Sequence, residues 1–383
     1  MNERPTKFAA LVLAAGYSSR MGRCKALLPI AGESVLARIV ATFRAADVEA
    51  LDTIAVVSGH DAEHVEPVAR ALGVDCVANP DYARGMYSSV QAGVRALPAD
   101  VDACFLLPVD IPLTRAATIA AIATAYGRRP APITYPRFSG RRGHPPLIAR
   151  ALFAEILAGQ GDGGLRALLA THQGEANDVD VLDEGVVLDM DTPSDYEQLA
   201  QLALRRHLPT PAECEAILAT RPTSDALHRH GRAVTAVART LANKLSLRGV
   251  ALDLNLILAA SLLHDIAKGE PGHAEVGAAL VERLGYPAVA AVIRQHMALS
   301  FDGSSINEAA VVFLADKLVQ DNRRVTLEQR YAPSFARFAE QPEALAGAQR
   351  RLATARAVQT LIERKARAPI DRLLADSGVA PRP

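Results

Sequence analysis

The sequence predicts an α/β amino-terminal domain, with a doubly wound and mostly parallel sheet, followed by an all-α carboxyl-terminal domain. Three observations carry that expectation. An unbroken apolar run from Ala9 to Ala15 stops at Gly16, as in a strand covered on both faces of a parallel sheet. Short β-rich runs then alternate with helical periodicity, the pattern of repeated strand-helix-strand units. Beyond His207 the strand pattern ends, and alanine- and leucine-rich segments punctuated by glycine and proline read as a helical bundle.

Length and composition bound the reading. The 383 residues exceed the roughly 100–200 of a usual domain, so two domains are expected, 1–206 and 223–383, joined by 207–222 with Leu208-Pro209-Thr210-Pro211 as linker. Lys plus Arg and Asp plus Glu number 42 each. That balance gives no support to a nucleic-acid partner. The cysteines Cys24, Cys76, Cys104 and Cys214 show no paired spacing, which suits reduced thiols in the cytoplasm. No apolar run near the start approaches the ~20 residues needed to span a bilayer, and no membrane association or targeting segment is expected.

In chain order, the first domain is expected to form helices over Val35 to Ala45, His60 to Leu72, Ser88 to Leu97 and Thr114 to Tyr126. Strands are expected over Thr53 to Val57, Val74 to Ala78 and Ala103 to Leu107. In the second, Pro211 to Ala219, Gly231 to Leu245, Leu254 to Ala267, His273 to Leu284, Pro287 to His296, Ile306 to Asp321, Thr326 to Tyr331 and Pro342 to Ala366 read as helices.

Chemistry concentrates at the carboxyl ends of the strands, where open α/β sheets bind ligands. After the first strand, Gly16 admits close backbone approach, and the amides of Tyr17, Ser18 and Ser19 can face one anion-binding concavity. Arg20, Arg23 and Lys25 add positive charge. Asp110, between Pro108 and Pro112 after the strand CFLL, is a candidate magnesium ligand, with Thr114 the better placed cap for the next helix. Asp191, in Leu188-Asp189-Met190-Asp191-Thr192-Pro193 where a strand ends, is either a second metal carboxylate or, with Thr192, a helix cap.

Asn79-Pro80-Asp81-Tyr82 through Gly85-Met86-Tyr87-Ser88-Ser89 puts two hydroxyls at a helix start, as a phosphate contact or with Ser88 as a cap. Arg141-Arg142-Gly143-His144-Pro145 is a basic loop whose histidine is structural or functional. Its arginines either pair with an anionic substrate or are solvated. Gly161-Asp162-Gly163-Gly164-Leu165-Arg166 opens a further helix.

LAAGYSSRMGRCKALLP resembles the signature loop of the molybdenum cofactor cytidylyltransferases, and Asn-Pro-Asp-Tyr, Gly-His-Pro, Gly-Asp-x-Gly-x-Arg and LDMDTPSDY match that family's later motifs. The resemblance implies a nucleotide-diphospho-sugar-transferase-like fold. It also implies transfer of a cytidylyl group from CTP to the terminal phosphate of molybdopterin, with pyrophosphate released and Mg2+ as cofactor. Carried onto matching positions, it makes Arg20, Lys25 and Asp110 catalytic, and Ala14, Ala15, Gly16, Ser18, Ser19, Asn79, Gly85, Ser88 and Ser89 nucleotide contacts. Gly143, His144, Pro145, Asp162 and Arg166 fall on the molybdopterin side, Asp110 and Asp191 on the metal, and Asp189 more weakly there. Ala15 and Cys24 stand where guanylyl-transferring relatives carry glycine and aspartate, which implies CTP. A molybdenum hydroxylase apoenzyme or its chaperone is an implied partner.

In the second domain His230 opens one predicted helix, His264-Asp265 lies in the apolar run AASLLHDIAK, and Asp316 lies in VVFLADKLV. Ionisable groups buried in apolar helices are costly unless paired or metal-bound. The ordered set resembles the HD phosphohydrolase superfamily, which implies a divalent metal such as manganese, iron or zinc on these four residues, activating water against a phosphate ester. Lys268, one turn after His264, is a candidate phosphate contact. His273 and His296 are candidates for a second metal or for structural roles. Two other readings stay open: a nucleotidyltransferase acting on a sugar phosphate or other small phosphate, and a non-catalytic cofactor chaperone or nucleotide sensor.

Overall fold

The structure is a computed structural model that describes residues 5–161, 163–222 and 224–382. It divides into two compact units, Met1–Arg206 and His207–Pro383.

The first unit is built on the strand Phe8–Leu13, buried at every position. Its side chains alternate between faces, as period-two backbone requires. Phe8, Ala10 and Val12 join one apolar cluster with Ile39 and Phe43 of the helix Val35–Arg44, Ile119 and Ile122 of Ala116–Arg128, and Leu199 of Pro193–Leu204. Ala9, Leu11 and Leu13 join another with Val90 and Val94 of Met86–Ala96 and Ile156 of Phe153–Ala158. Both faces are therefore covered by helices, which is the doubly wound arrangement. Fully buried side chains such as Leu11 and Phe105 each contribute about 1.5–3 kcal/mol.

Among the described residues one sheet has eight strands, in spatial order Asn177–Asp180, Ile133–Phe138, Leu147–Ala149, Ala103–Pro108, Phe8–Leu13, Leu51–Ser58 and Asp75–Ala78, with Arg141–Arg142 paired to the second. Phe8–Leu13 pairs in parallel with both neighbours. The sheet is mostly parallel, but Leu147–Ala149 runs antiparallel to the strands on each side of it. Backbone bonds at the carboxyl ends then fix the loops. Val109 N donates to Leu13 O at 3.2 Å, and Met190 N donates to Asp110 O at 2.8 Å. These two bonds set the segments of Asp110 and Asp191 beside the first loop.

Two local expectations are corrected. Thr114 does not cap the following helix. Asp183, 1% exposed, does so from a distant loop, accepting from Arg115 N and Thr118 Oγ1, both at 2.7 Å, while Arg206 Nη2 donates to it at 2.6 Å. Second, no strand ends before Asp191: Glu184–Val187 is a 3-10 turn, and the backbone bond to Asp110 takes the place of strand pairing.

The second unit is helical. Asp225–Ser246 is capped by Ser224 and starts earlier than apolar periodicity alone indicates, so His230 lies inside it rather than opening a helix. Leu254–Leu263 ends before His264, so the His-Asp pair and Lys268 occupy consecutive turns after the helix instead of lying within it. His273–Arg283, Pro287–Gln295, Glu308–Lys317, Leu327–Arg337 and Pro342–Ala366 complete the core. A short hairpin, Val319–Gln320 with Arg323–Arg324, interrupts the helical pattern. Among the described residues no helix is long and apolar enough to cross a membrane.

The buried Asp183 network generates a stability expectation, since removing one partner strands charges away from water. Asp183→Asn should destabilise the first unit by about 3 kcal/mol, seen as a lower urea midpoint and faster amide exchange in Ala116–Arg128. Unchanged exchange there would contradict the capping role.

Candidate functional site

The loop from Ala14 to Lys25 leaves the sheet at its carboxyl edge and walls a cleft of about 330 Å3, with Asp110, Gly85, Met86 and Ser89 opposite. Ala14 and Ala15 are buried. Gly16 is exposed, has no positive φ, and a Cβ there would meet nothing within 4 Å. The fold itself thus places no packing demand for glycine at this position. Ser18 adopts a left-handed φ of 51°, and its hydroxyl accepts from Lys25 N at 3.2 Å, which curls the loop so that Lys25 turns inward.

Lys25 Nζ stands 3.0 Å from Asp191 Oδ1 and 3.8 Å from Asp110 Oδ2, and Arg20 Nη1 lies 2.9 Å from Asp191 Oδ2. The capping question at Asp191 is settled by geometry: Thr192 and Asp195 form the reciprocal capping box of Pro193–Leu204, leaving both Asp191 oxygens to the cations. Asp189 is exposed. Burial pushes the Asp110 carboxyl above its usual range, with Asp191 adding to the rise and Lys25 opposing it. The hydrogen bond from Lys25 holds Asp191 below its usual range. Two hard carboxylates converging around one ammonium fit a magnesium ion.

Asn79 and Ser88 are buried in an internal network rather than presented to the cleft. Asn79 Nδ2 donates to Ser88 Oγ at 2.9 Å and Ser89 Oγ at 3.0 Å, and Ser88 Oγ donates to the Asp81 and Gly85 carbonyls. Gly85, with a φ of 93°, is the N-cap of Met86–Ala96, so Ser88 is not the cap. At the Gly-His-Pro motif, a Cβ on Gly143 would overlap the Val186 carbonyl, so packing alone demands this glycine. Arg142 is engaged by Asp178 at 2.6 Å and lies over the Tyr135 ring. Burial pushes the His144 imidazole down, against the raising effect of Asp110, and its Nδ1 is buried with no partner among the described residues. Pro145 is buried and Arg166 is exposed on Gly164–Thr171. Asp162 lies outside the described residues.

Sequence reasoning missed the aromatic edge of the cleft. Tyr17, His60 and Tyr82 group with ring centroids 4.8–5.8 Å apart, where Gly59 passes so close that a Cβ would stand 2.7 Å from Ala15 Cβ. A glycine after a β-rich run was the available signal. Cys24, whose thiol is pushed up to about 11 by burial and by Asp61, stays protonated beside Lys25.

In the second unit the predicted ligands converge. Asp265 Oδ2 lies 3.3 Å from His264 Nε2 and 3.7 Å from His230 Nε2, while Asp316 Oδ1 lies 3.2 Å from His230 Nε2 and 3.6 Å from His264 Nε2. Asp265 Oδ1 turns the other way, 3.4 Å from His273 Nε2 and 3.6 Å from His296 Nε2. One carboxylate is thus shared between two histidine pairs, and each group has spacing suited to a metal ion.

The imidazoles are oriented by backbone carbonyls. Nδ1–H donates to Asp321 O from His230 at 2.9 Å, to Ser261 O from His264 at 2.8 Å and to Ile293 O from His296 at 2.7 Å. In the neutral form of each ring the lone pair is therefore on Nε2, the tautomer that metal-binding histidines need. His264 Nε2 is buried without a hydrogen-bond partner among the described residues. Burial pushes the His264 imidazole down, but Asp265 and Asp316 override this and carry it up to about 10. The imidazole and carboxylate set fits a divalent transition metal.

Residues 10–176 match the MobA-like NTP transferase domain, and residues 227–321 match the HD domain. The molybdenum cofactor cytidylyltransferase of Escherichia coli (strain K12) is 28% identical over 187 residues, covering 49% of this chain and 92% of that protein. A bifunctional IPC transferase and DIPP synthase of Rubrobacter xylanophilus is 47% identical over 94 residues, 23% of this chain and 21% of its own length. A solved nucleotidyl transferase from Methanothermobacter thermautotroptrophicus aligns with a TM-score of 0.46 and 25% identity, covering 53% of this chain and 100% of that one. Both matched domains are enzyme domains.

The two carboxylates of the cleft generate opposite stability expectations. A raised folded pKa means that ionised Asp110 opposes folding above that value and is harmless below the unfolded one, 3.8. A lowered folded pKa means that ionised Asp191 supports folding above the unfolded value, with the support lost as pH falls through the depressed folded one. At neutral pH in chelator, Asp110→Asn should raise the melting temperature and Asp191→Asn should lower it, by roughly 2–4 °C per kcal/mol. A fall in both would contradict the assignment.

Proposed function

We propose, from a chain that joins a MobA-like NTP transferase domain to an HD domain, that the first transfers CMP from CTP to the terminal phosphate of a molybdopterin-type cofactor and that the second hydrolyses a phosphate ester. The observation that carries the first half is the Lys25 ammonium between Asp110 and Asp191 at the lip of the Gly16 cleft. The similarity to the Escherichia coli cytidylyltransferase supports CTP as donor and molybdopterin as acceptor.

In this reading a terminal phosphate oxygen of the acceptor attacks the α-phosphorus of CTP in line, the bond from that phosphorus to the bridging oxygen breaks, and pyrophosphate leaves. No covalent enzyme intermediate forms. Phosphoryl chemistry of this kind depends on positioning and charge neutralisation. The amides after Ala15, with Ser18, Ser19, Gly85 and Ser89, line the triphosphate path. Lys25 and Arg20 move from the carboxylates onto phosphate oxygens. Asp110 and Asp191 would hold magnesium, which neutralises triphosphate charge when bound. Asn79 and Ser88 act one step back, fixing the helix start that carries Ser89. Gly143, His144, Pro145, Asp162 and Arg166 are assigned to the acceptor side.

In the HD domain His230, His264, Asp265 and Asp316 would hold one divalent ion, and Asp265, His273 and His296 a second. Such ions lower the pKa of bound water. Lys268, whose Nζ is 2.6 Å from Asp265 Oδ2, is placed to meet a phosphate. The unpaired cysteines suit a reducing, cytoplasmic setting. Another small phosphate as acceptor is the second reading, favoured by one observation: Arg142, the cation closest in sequence to the acceptor motif, is already engaged by Asp178.

Pyrophosphate release should be faster with CTP than with GTP when molybdenum-loaded pterin is supplied, and Lys25→Ala should lower kcat by ~10²–10³. Release with a sugar phosphate but not with the pterin would establish the second reading instead. Metal counting tests the HD domain separately. In an Asp110→Asn background, Asp265→Ala should lose both tightly bound ions and His296→Ala only one. Retention of both by Asp265→Ala would remove the shared-carboxylate centre.

A further inference from the structure

Among the described residues three lysine or arginine side chains reach the carboxylates of the HD centre, and they are not alike. Lys317 is a buried part of the fold: its side chain is 5% exposed, and Nζ donates to Asp316 Oδ2 at 2.6 Å and to His296 O at 3.0 Å. The other two are open to solvent. Lys268, 51% exposed, lies 2.6 Å from Asp265 Oδ2, and Arg330, 29% exposed, has Nη2 3.9 Å from Asp316 Oδ1.

These two oxygens, Asp265 Oδ2 and Asp316 Oδ1, are the ones that face the Nε2 atoms of His230 and His264. A metal ion held by these residues would draw on the same carboxylates and would leave Lys268 and Arg330 beside a divalent charge. Cations are tolerated next to a metal centre when an anion bridges them to it. The guanidinium fork matches phosphate oxygens in pairs, and an ammonium supplies a point charge.

Arg330 is held for such a task. It lies in the first turn of Leu327–Arg337, whose Thr326 and Gln329 form a reciprocal capping box. Its amide donates to Thr326 O at 2.9 Å, and the neighbouring Tyr331 is buried. The backbone is therefore fixed while the side chain reaches the mouth of the centre.

We infer that Arg330 is a substrate-binding residue of the HD domain, forming with Lys268 a two-cation grip on a phosphate group delivered to the metal-bearing His230, His264, Asp265 and Asp316. The inference rests on the metal centre proposed above and narrows its substrate to one presenting a phosphate with free oxygens.

The test uses the full chain carrying Lys25→Ala and Asp110→Asn, so that the amino-terminal cleft loses its own phosphate and metal groups, loaded with Mn2+ and titrated with inorganic phosphate. Adding Arg330→Ala should weaken phosphate binding roughly 10- to 100-fold at unchanged manganese content, and Arg330→Lys should recover part of it. In the otherwise intact chain, phosphate-ester hydrolysis by Arg330→Ala should show the loss in KM more than in metal content. Unchanged phosphate affinity would overturn the inference, and so would a parallel loss of manganese, which would make Arg330 a support of the ligand shell. Failure of the parent chain to take up manganese would instead overturn the metal centre itself, and this inference with it.

Discussion

Carboxylates that converge need a positive charge between them, and both units of this chain are organised around meeting that need. In the first, Asp110 and Asp191 are separated by 81 positions of sequence and share Lys25. In the second, Asp265 divides its two oxygens between two pairs of imidazoles. The two arrangements differ in the kind of cation they suit. Oxygen donors alone suit a hard ion, whereas imidazole nitrogen with carboxylate oxygen suits a transition metal.

The scaffold makes these meetings possible at modest cost. Parallel pairing of Phe8–Leu13 with Ala103–Pro108 brings the Gly16 loop and Asp110 to one edge of the sheet. The backbone bond from Met190 to Asp110 brings the third segment to the same place. In the second unit the helix Leu254–Leu263 stops just before His264, freeing the next turns to aim an imidazole and a carboxylate from adjacent positions. Lys317 then joins Asp316 to the backbone of His296, linking the two halves of the centre through a buried cation.

Much of this was legible in the sequence, because burial leaves a periodic trace. The strand from Phe8, the helix at Val35–Arg44 and the long helix Pro342–Ala366 follow apolar spacing closely. The identities of the charged residues were also readable, since lysine, aspartate and histidine are costly in apolar runs unless they pair with one another or hold an ion. What escaped depends on contacts between distant positions. Asp183 caps a helix some 65 residues earlier, so local capping rules pointed to Thr114. Leu147–Ala149 is three residues long and carries too little pattern to mark an antiparallel strand. The internal bonds of Asn79 and the pairing of Arg142 with Asp178 turned apparent ligand contacts into supports. The imidazole tautomers did leave a trace, unread: Ser261 to His264 and Ile293 to His296 repeat one spacing of three, at which a ring nitrogen reaches back to the carbonyl at the end of its own helix.

In the proposed function, Lys25 occupies the place that a metal ion and a triphosphate would share. A crystal structure with Mn2+ and a non-hydrolysable CTP analogue, read by manganese anomalous scattering, tests it most directly. The account predicts a manganese peak in contact with both Asp110 and Asp191, with the triphosphate along Gly16 and Lys25 withdrawn onto a phosphate oxygen. A peak elsewhere, with Lys25 still spanning the two carboxylates, would contradict it.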